Sequence, residues 1–273
     1  MNPRPRRSCN RLSVDWDDAW SQALTIGQPR QGDAGTQADG RAASSERGIN
    51  GKSGWIGIDE MTAKVPPPEG YRFELLTRAE IPMLIDSIKA WFPDINVGTA
   101  SCHLREDYYH EKVFFVGGPE RDVLVVLIKS GQALAGMFSC ERDHDTLTLY
   151  ARLAVVAPAH RGARLCQTCI ALGEAIGKQI GMGLVYGMAT LRMPHVQMAF
   201  ENLGWQLIGI TPGYDREMVA PGVVKRVYEA VYAKVLVASA SLLRPRPQDL
   251  TPRTKAFFDL LFPEQRLGTD CAR

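Results

Sequence analysis

The sequence lacks the features that mark membrane, secreted and nucleic-acid-binding proteins. It has no run of the ~18 uninterrupted apolar residues that a membrane span needs, and its amino-terminal residues contain no apolar segment typical of a secretory signal. Six cysteines in 273 residues are too sparse for a small disulfide scaffold. A net charge of +2 gives no electrostatic case for nucleic-acid binding. These absences predict a reduced, cytoplasmic protein with neither a nucleic-acid nor a membrane partner.

Large apolar residues are scarce in residues 28–54, which are rich in Gly, Ala, Ser and charged side chains. Such a segment cannot bury enough surface to offset its ordering entropy, so we expect residues 1–60 to form a disordered extension. Met61, shortly before a run of three prolines, is the expected start of the folded domain, and one hypothesis is that translation begins there. We assign residues 61–238 to that domain and residues 239–273 to a tail with one short helix.

Hydrophobic periodicity predicts a regular order of elements from residue 71 onward. A strand at 71–76 and a helix at 78–92 come first, and residues 98–112 are expected to be helical. The runs DVLVVLIKSG and QALAGMFSCER predict a hairpin, and TLTLYARLAVVAP a longer strand. Helices at 162–180 and 195–203 alternate with the strand GLVYGMAT, and two further strands follow, WQLIGI and VKRVYEAVYAKVLV. This order predicts a mixed α/β domain whose central, mostly antiparallel sheet of about seven strands contains one parallel βαβ element and is flanked by about four helices.

The most informative stretch, VVAPAHRGARLC at residues 155–166, leaves the long strand, turns at Pro158 and enters a helix. The amino terminus of a helix carries unpaired backbone N–H groups and a partial positive charge, which suit a phosphate. Arg161 adds a cation, and Gly162 allows the backbone to approach a ligand closely. The stretch therefore predicts a pyrophosphate cradle, with an ordinary turn and an exposed arginine as the alternative.

The segment VAPAHRGARLCQTCIAL resembles the acyl-CoA-binding segment of the GNAT superfamily of N-acyltransferases, and HVQMAFENLGWQLIG resembles that family's next helix, turn and strand. The likeness covers roughly residues 70–236. Within the family, the chain is similar to members that carry a His and a Gln at this helix start, here His195 and Gln197, and a Tyr-Glu pair in the last strand, here Tyr228 and Glu229.

The resemblance implies a sheet splayed at a coenzyme A cleft and the use of acetyl-CoA as cosubstrate. It implies that the Val156 amide binds the thioester oxygen and that the following turn binds the diphosphate through Arg161, Gly162, Ala163, Arg164, Leu165 and Cys166. Arg164 and Cys166 depart from the family, which usually has small residues at those places.

The resemblance also sets the expectations for catalysis. Phe200 stands where the family usually has a tyrosine that protonates the leaving thiolate, so Tyr150, Tyr214 or a water must replace it. The titratable groups suited to act as a general base are Glu141, His195 and Glu229. We therefore take Glu141, Tyr150 and His195 as the catalytic candidates, and Tyr108, Tyr109 and Glu229 as the candidates for substrate binding.

The expected function is transfer of an acetyl group to a primary amine, either a small molecule or amino acid or a protein lysine or N-terminus. A small-molecule enzyme is expected to close its pocket with residues 94–112, whereas a protein acetylase keeps an open groove. The alternative is a non-catalytic module that binds coenzyme A for regulation or interaction. Cys166 and Cys169 are interpreted as packing residues, since a zinc site would need a second ligand pair, and we expect no metal. The sequence is also compatible with a homodimer.

Overall fold

The computed structural model describes residues 54–263, which fall in one compact unit of the chain, Gly48–Arg273. Residues 1–53, where most of the disordered extension is predicted, lie outside the described residues, as do residues 264–273. The predicted fold class is confirmed: a single seven-stranded sheet carries helices on both faces.

The strands follow the order β1-β2-β3-β4-β5-β7-β6 across the sheet. Neighbouring strands are antiparallel except for β4 and β5, which are parallel because the helix Leu165–Gln179 connects them. The strands are Tyr71–Leu75 (β1), Val123–Ser130 (β2), Ala133–Asp143 (β3), Thr148–Val156 (β4), Leu184–Thr190 (β5), Gln206–Ala220 (β6) and Val223–Val235 (β7).

Six α-helices are present in residues 54–263, one more than the sum of the four predicted for the domain and the one predicted for the tail. The short α1 was not expected, and the region predicted as helical at 98–112 divides into a 3-10 helix, Thr99–Leu104, and the short α3. The helices are Ile58–Lys64 (α1), Ile81–Trp91 (α2), Glu106–Lys112 (α3), Leu165–Gln179 (α4), Pro194–Asn202 (α5) and Pro252–Leu261 (α6).

Two hydrophobic cores lie on opposite faces of the sheet. On the face covered by α1, α4 and α5, here called the α4 face, the core includes Phe138, Leu149, Leu172, Phe200 and Tyr232. On the face covered by α2 and α3, here called the α2 face, it includes Leu84, Ile88, Tyr109, Met137 and Val155. Alternate residues of a strand point to opposite faces, so the central strands β2, β3 and β4 contribute to both cores.

Strand β6 is much longer than the predicted strand WQLIGI, because it continues through Pro212 and Gly213 to Ala220. A proline followed by a glycine is a sequence pattern typical of a loop. Pairing with β7 keeps the chain extended, and the pairing register shifts between Thr211 and Asp215, where the turn-forming residues are accommodated as an irregularity. The resulting hairpin extends past the end of β5.

The packed domain begins before Met61. The Met61 side chain is fully buried in the core of the α4 face, and Ile56 is buried with it. Trp55 donates an indole hydrogen bond of 2.8 Å to the carbonyl of Arg121, and the Arg142 guanidinium lies 4.6 Å from its ring centroid. Residues 54–60, which composition assigns to the extension, are therefore held by apolar burial and by a cation–π contact.

The carboxy-terminal helix predicted from TKAFFDLLF is confirmed as α6. Thr251 caps it by accepting a hydrogen bond from the backbone N–H of Thr254, and the Gln206 side chain donates to the carbonyl of Leu261. Among the helices of residues 54–263, none combines the length and the apolar character needed to cross a membrane.

We expect Trp55→Ala to lower the free energy of unfolding by about 2 kcal/mol, because the variant loses apolar contacts and the Arg142 cation–π contact. Urea unfolding of the full chain measures this difference. Val116→Ala is the control, because Val116 is 76% exposed and its truncation should change stability by less than about 0.5 kcal/mol. Equal stability of both variants would show that the segment before Met61 does not stabilise the domain.

Candidate functional site

The sheet opens between its two parallel strands. Residues 148–151 of β4 pair with residues 184–187 of β5, and beyond this point β4 pairs only with β3 while β5 pairs only with β7. The carboxyl-terminal halves of the two strands therefore border a gap in the sheet, as the resemblance implies.

The backbone N–H of Val156 points toward this gap. Ala157 donates its N–H to the carbonyl of Ala135 on β3 at 2.9 Å. Alternate residues of an antiparallel strand direct their N–H groups to opposite sides, so the Val156 N–H is directed away from β3. The Val156 N–H therefore faces the gap, where β5 no longer pairs with β4.

The turn between β4 and α4 exposes a series of backbone N–H groups. Gly162 has φ +91° and Arg164 has φ +59°, two left-handed conformations that separate the 3-10 turn Pro158–His160 from the helix. Because of them the helix begins at Leu165, three residues later than predicted. No side chain caps it and its first turn contains no acidic residue, so the amides of Leu165, Cys166 and Gln167 remain available to a ligand.

A cleft of about 690 Å³ lies over this turn and over the open part of β4. Arg161, Arg164, His160 and His195 contribute its positive or titratable groups, and no Asp or Glu is among its lining residues. Its apolar walls include Phe92, Val156, Leu165, Met193, Val196 and Met198. A cleft with a basic, amide-rich end and apolar walls fits a long ligand that carries a phosphate group at one end.

Arg161 is oriented by Phe92, whose ring centroid lies 5.2 Å from the guanidinium carbon. His160 is held by Tyr71, whose hydroxyl lies 3.1 Å from Nδ1 of the imidazole. The two basic residues at the turn are thus fixed by aromatic side chains from outside the turn. Neither aromatic partner was identified from the sequence.

The two cysteines of the C-x-x-C sequence differ in environment. Cys169 is fully buried in the core of the α4 face, as the packing interpretation expects, whereas Cys166 is partly exposed and lines the cleft. Burial raises the pKa of both thiols, so both are neutral near pH 7. Redox activation of either thiol is not supported by this environment.

Tyr150 and Tyr186 form a stacked pair on the α2 face, with ring centroids 4.9 Å apart and ring planes 11° apart. They stand at the last paired part of β4 and β5, next to the gap. Burial raises the pKa of Tyr150, and the nearby Tyr214 raises it further, so the Tyr150 hydroxyl is protonated at neutral pH. Tyr186 was not identified from the sequence.

Glu229 lies on the same face, opposite Thr190 in the pairing of β5 with β7, and only 6% of its surface is exposed. Burial raises the pKa of its carboxyl group to about 7, with smaller contributions from Asp215 and Glu217. Within residues 54–263 no cationic side chain forms an ion pair with Glu229. A buried carboxylate without a cation is costly, so a positively charged group placed beside Glu229 would stabilise its ionised form.

Arg152 is the extra residue of a β-bulge, since Ser139 pairs with Leu153 and Cys140 pairs with Ala151. The Arg152 side chain lies on the α2 face, where its Nη1 lies 2.5 Å from the Glu141 carboxylate and its Nη2 lies 3.6 Å from the Cys102 sulfur. Glu141, a predicted catalytic residue, is therefore engaged in an ion pair. The alternation of β4 breaks at Leu153, which packs on the same face as Arg152, and two consecutive residues on one face are the mark of the bulge.

Tyr108 and Tyr109 were both predicted to contact substrate, and they differ in the structure. Tyr109 is fully buried, and its hydroxyl donates to the carbonyl of His103 at 2.8 Å, so it serves packing rather than substrate binding. Tyr108 packs under the Arg152 guanidinium, at 5.8 Å from its ring centroid, and its buried hydroxyl has no hydrogen-bond partner within residues 54–263. Only Tyr108 remains at the edge of the candidate site.

His103 is fully buried in this region, and the sequence pattern did not identify it. Its Nε2 lies 3.1 Å from the Ser139 hydroxyl and its Nδ1 3.3 Å from the carbonyl of Ala100. Burial lowers its pKa to about 3, with Arg152 adding to the effect, so the imidazole is neutral. It ties the 3-10 helix Thr99–Leu104 to β3, opposite the bulge of β4.

The predicted site residues thus divide between the two faces. His195 lies with the turn at the cleft of the α4 face, whereas Glu141, Tyr150 and Glu229 lie on the α2 face. Phe200 is buried in the α4-face core, stacked on Tyr232 at 5.0 Å. It carries no group that can transfer a proton. The gap between β4 and β5 is the place where the two faces meet.

A strap joins the β6–β7 hairpin to the segment between α2 and α3. The Asp215 carboxylate accepts two hydrogen bonds of 2.8 Å from Thr99, one from its backbone N–H and one from its hydroxyl. Gly98, at φ +85°, packs so closely against Asp215 and the Arg216 carbonyl that a Cβ atom would overlap both. The sequence gives no sign of this contact, because the partners are 116 residues apart.

No protein-family model matches the chain, and no curated protein matches it. Among solved structures, it is similar to mutant forms of a spermidine/spermine N-acetyltransferase from Vibrio cholerae, with 13% identity and a TM-score of 0.48 over 61% of this chain and 94% of that one. A putative phosphinothricin N-acetyltransferase shares 16% identity, with a TM-score of 0.48 over 62% of this chain and 99% of that one. A ribosomal alpha-N-protein acetyltransferase shares 12% identity, with a TM-score of 0.47 over 64% of this chain and 99% of that one.

We expect Gly98→Ala to destabilise the protein by about 1–3 kcal/mol, because alanine is strained at this φ and its Cβ would displace the Asp215 strap. Thermal and urea unfolding measure the change. Gly209→Ala is the matched control: Gly209 has no positive φ and open space around its Cα, so alanine should leave stability equal or slightly higher. A neutral Gly98→Ala variant would mean that the strap does not hold the hairpin.

Proposed function

We propose that this protein is a GNAT-type N-acetyltransferase that moves the acetyl group of acetyl-CoA directly to a primary amine. The observation that supports the proposal is that two sets of backbone N–H donors lie along one cleft. The uncapped amides at the start of α4 suit a diphosphate, and the Val156 N–H suits a thioester oxygen at the gap.

The residues of the cleft fit coenzyme A. The turn supplies amides and Arg161 for the diphosphate, and the absence of carboxylates from the lining removes electrostatic repulsion. Val156, Val196 and Met198 supply apolar contacts for the rest of the molecule. Arg164 and Cys166, which depart from the family's small residues, line the cleft without closing it.

When bound, acetyl-CoA supplies an activated acetyl thioester. The Val156 N–H is the donor for the carbonyl oxygen, where negative charge develops as the amine adds. Glu229, as a carboxylate, binds the ammonium form of the acceptor and takes its proton, so that the amine can act as nucleophile. Tyr150, protonated and next to the gap, provides the proton for the departing sulfur in place of the absent family tyrosine at Phe200.

The roles of His195 and Glu141 are less well supported by this arrangement. His195 is exposed at the cofactor cleft, away from Glu229, where it suits cofactor binding better than deprotonation of the amine. Glu141 is neutralised by Arg152. The alternative function, a module that binds coenzyme A without turnover, is favoured by one feature, the replacement of the family acid by the buried Phe200.

Two variants of the turn test the cofactor assignment. We expect Arg161→Glu and Gly162→Val to weaken coenzyme A binding by about 1–3 kcal/mol, through lost charge-assisted contacts and a distorted turn. Calorimetry measures the affinity, and release of free thiol from acetyl-CoA with a panel of amines measures turnover.

Gly131→Val is the matched control for Gly162→Val, because Gly131 also has positive φ and open surroundings but lies in the β2–β3 turn. Arg253→Glu controls for the charge change. Unaltered affinity in both turn variants contradicts the cofactor assignment, and binding without thiol release favours the non-catalytic module.

We expect kcat/KM to depend on the ionisation of Glu229. With a pKa of about 7, the carboxylate form increases as pH rises, so kcat/KM should fall about tenfold per pH unit below 7 and level off above it. Glu229→Gln should lower kcat/KM about 100-fold or more and remove this dependence. The pH profiles of the two proteins measure the effect, with the exposed Glu111→Gln as control. The same pH dependence in Glu229→Gln would assign the base to another group.

A further inference from the structure

The arginine at the start of the cleft is held by a residue from the other layer of the domain. Arg161 lies in the turn between β4 and α4, whereas Phe92 directly follows α2 and packs against the core of the α2 face. The Phe92 ring centroid lies 5.2 Å from the Arg161 guanidinium carbon, and both residues line the cleft. The basic end of the cleft therefore includes a contact between two layers of the fold.

This contact leaves the positive charge of Arg161 uncompensated. Within residues 54–263 no carboxylate forms an ion pair with Arg161, whereas Arg192 is paired with Glu217 at 2.7 Å. An aromatic ring attracts a guanidinium through its quadrupole and accepts none of its conventional N–H hydrogen bonds. Both the charge and the N–H donors of Arg161 therefore stay available to an anionic ligand.

The backbone of Phe92 is fixed on both sides of the ring. Its N–H donates to the carbonyl of Ile88 at 2.9 Å, and its carbonyl accepts from the N–H of Ile95 at 3.0 Å. Pro93 follows with a restricted φ. Phe92 is therefore the anchored partner of the contact, and the exposed Arg161 is the partner that it orients.

Orientation of an arginine before a ligand arrives strengthens binding. An exposed arginine populates many rotamers, and a ligand that immobilises it loses part of its binding free energy to the lost rotamer entropy. The contact with Phe92 restricts Arg161 in advance. Arg164, the other arginine of the turn, forms neither a ring contact nor an ion pair within the described part of the chain, so Phe92 acts on Arg161.

We propose that Phe92 is a positioning residue of the cofactor site, which holds the Arg161 guanidinium in place to bind the diphosphate of coenzyme A. This inference rests on the proposed function and adds to the site a residue that lies outside the turn. It is supported by the contact between ring and guanidinium, by the uncompensated charge of Arg161 and by the fixed backbone of Phe92.

Calorimetry with the full chain measures the Kd of coenzyme A for matched variants. Phe92→Leu removes the ring but keeps an apolar side chain, and we expect Kd to rise about five- to tenfold. Phe92→Tyr keeps the ring, so its Kd should stay within about twofold of the unaltered protein. Phe92→Met is a second variant without a ring, for use if thermal unfolding shows that Phe92→Leu folds poorly.

Phe115→Leu is the matched control. It removes the ring from another cation–π contact, with the Arg78 guanidinium carbon at 4.5 Å, and Phe115 is not among the lining residues of the cleft. We expect this variant to bind coenzyme A as the unaltered protein does, even where its stability is lower.

A double-mutant cycle separates positioning from direct contact between the ring and the ligand. In an Arg161→Met background there is no guanidinium to hold, so Phe92→Leu should change Kd by less than about twofold. Dephospho-coenzyme A keeps the diphosphate and lacks the 3′-phosphate. Phe92→Leu should therefore weaken binding of this ligand by the same factor as binding of coenzyme A.

An unchanged Kd in Phe92→Leu and Phe92→Met, or an equal loss of affinity in Phe92→Tyr, would overturn this inference and leave cofactor binding established. So would a loss that persists in the Arg161→Met background, which would mean direct contact with the ligand. A loss confined to coenzyme A would assign Arg161 to the 3′-phosphate and overturn its role at the diphosphate. Failure of the unaltered protein to bind coenzyme A would contradict the proposed function and this inference together.

Discussion

The arrangement of this domain depends on the short parallel pairing of β4 and β5. Four residues of each strand pair, and the strands then separate, because β4 continues along β3 while β5 continues along β7. A sheet that stayed closed would leave the Val156 N–H bonded to a neighbouring strand. The separation frees that donor, and it also makes a passage between the two faces of the sheet.

The amides at the start of α4 depend on backbone conformation rather than on side chains. Gly162 and Arg164 both adopt left-handed φ angles, which turn the chain sharply out of the 3-10 segment and into the helix. Glycine takes this conformation without strain, but arginine does so at a cost. The strained Arg164 lies in the turn proposed to bind the diphosphate, and strained residues are common at binding sites.

The two faces of the sheet carry different titratable groups near the gap. The cleft on the α4 face is basic and has no carboxylate in its lining, whereas the α2 face carries the buried Glu229 with Asp215 and Glu217 nearby. In the proposed function, the acetyl donor would occupy the cleft and the amine would reach the gap from the α2 face. On the α2 face, Arg152 of β4 contacts the Cys102 sulfur and His103 contacts Ser139 of β3, so the 3-10 helix Thr99–Leu104 is held against both strands.

The sequence by itself determined the order of the elements, the mixed sheet and the turn before α4, because these follow from local periodicity and from the chemistry of Pro158, Arg161 and Gly162. It also predicted Tyr150 and Glu229 as site residues, and in the structure both lie on the α2 face of the strands around the gap. The tertiary structure alone decided that Tyr109 is a core residue and that Glu141 is neutralised by Arg152. It decided as well that β6 continues through Pro212 and Gly213, and that Asp215 reaches Thr99. These features depend on partners far apart in the chain, and local pattern carries no information about which distant residue a side chain will meet.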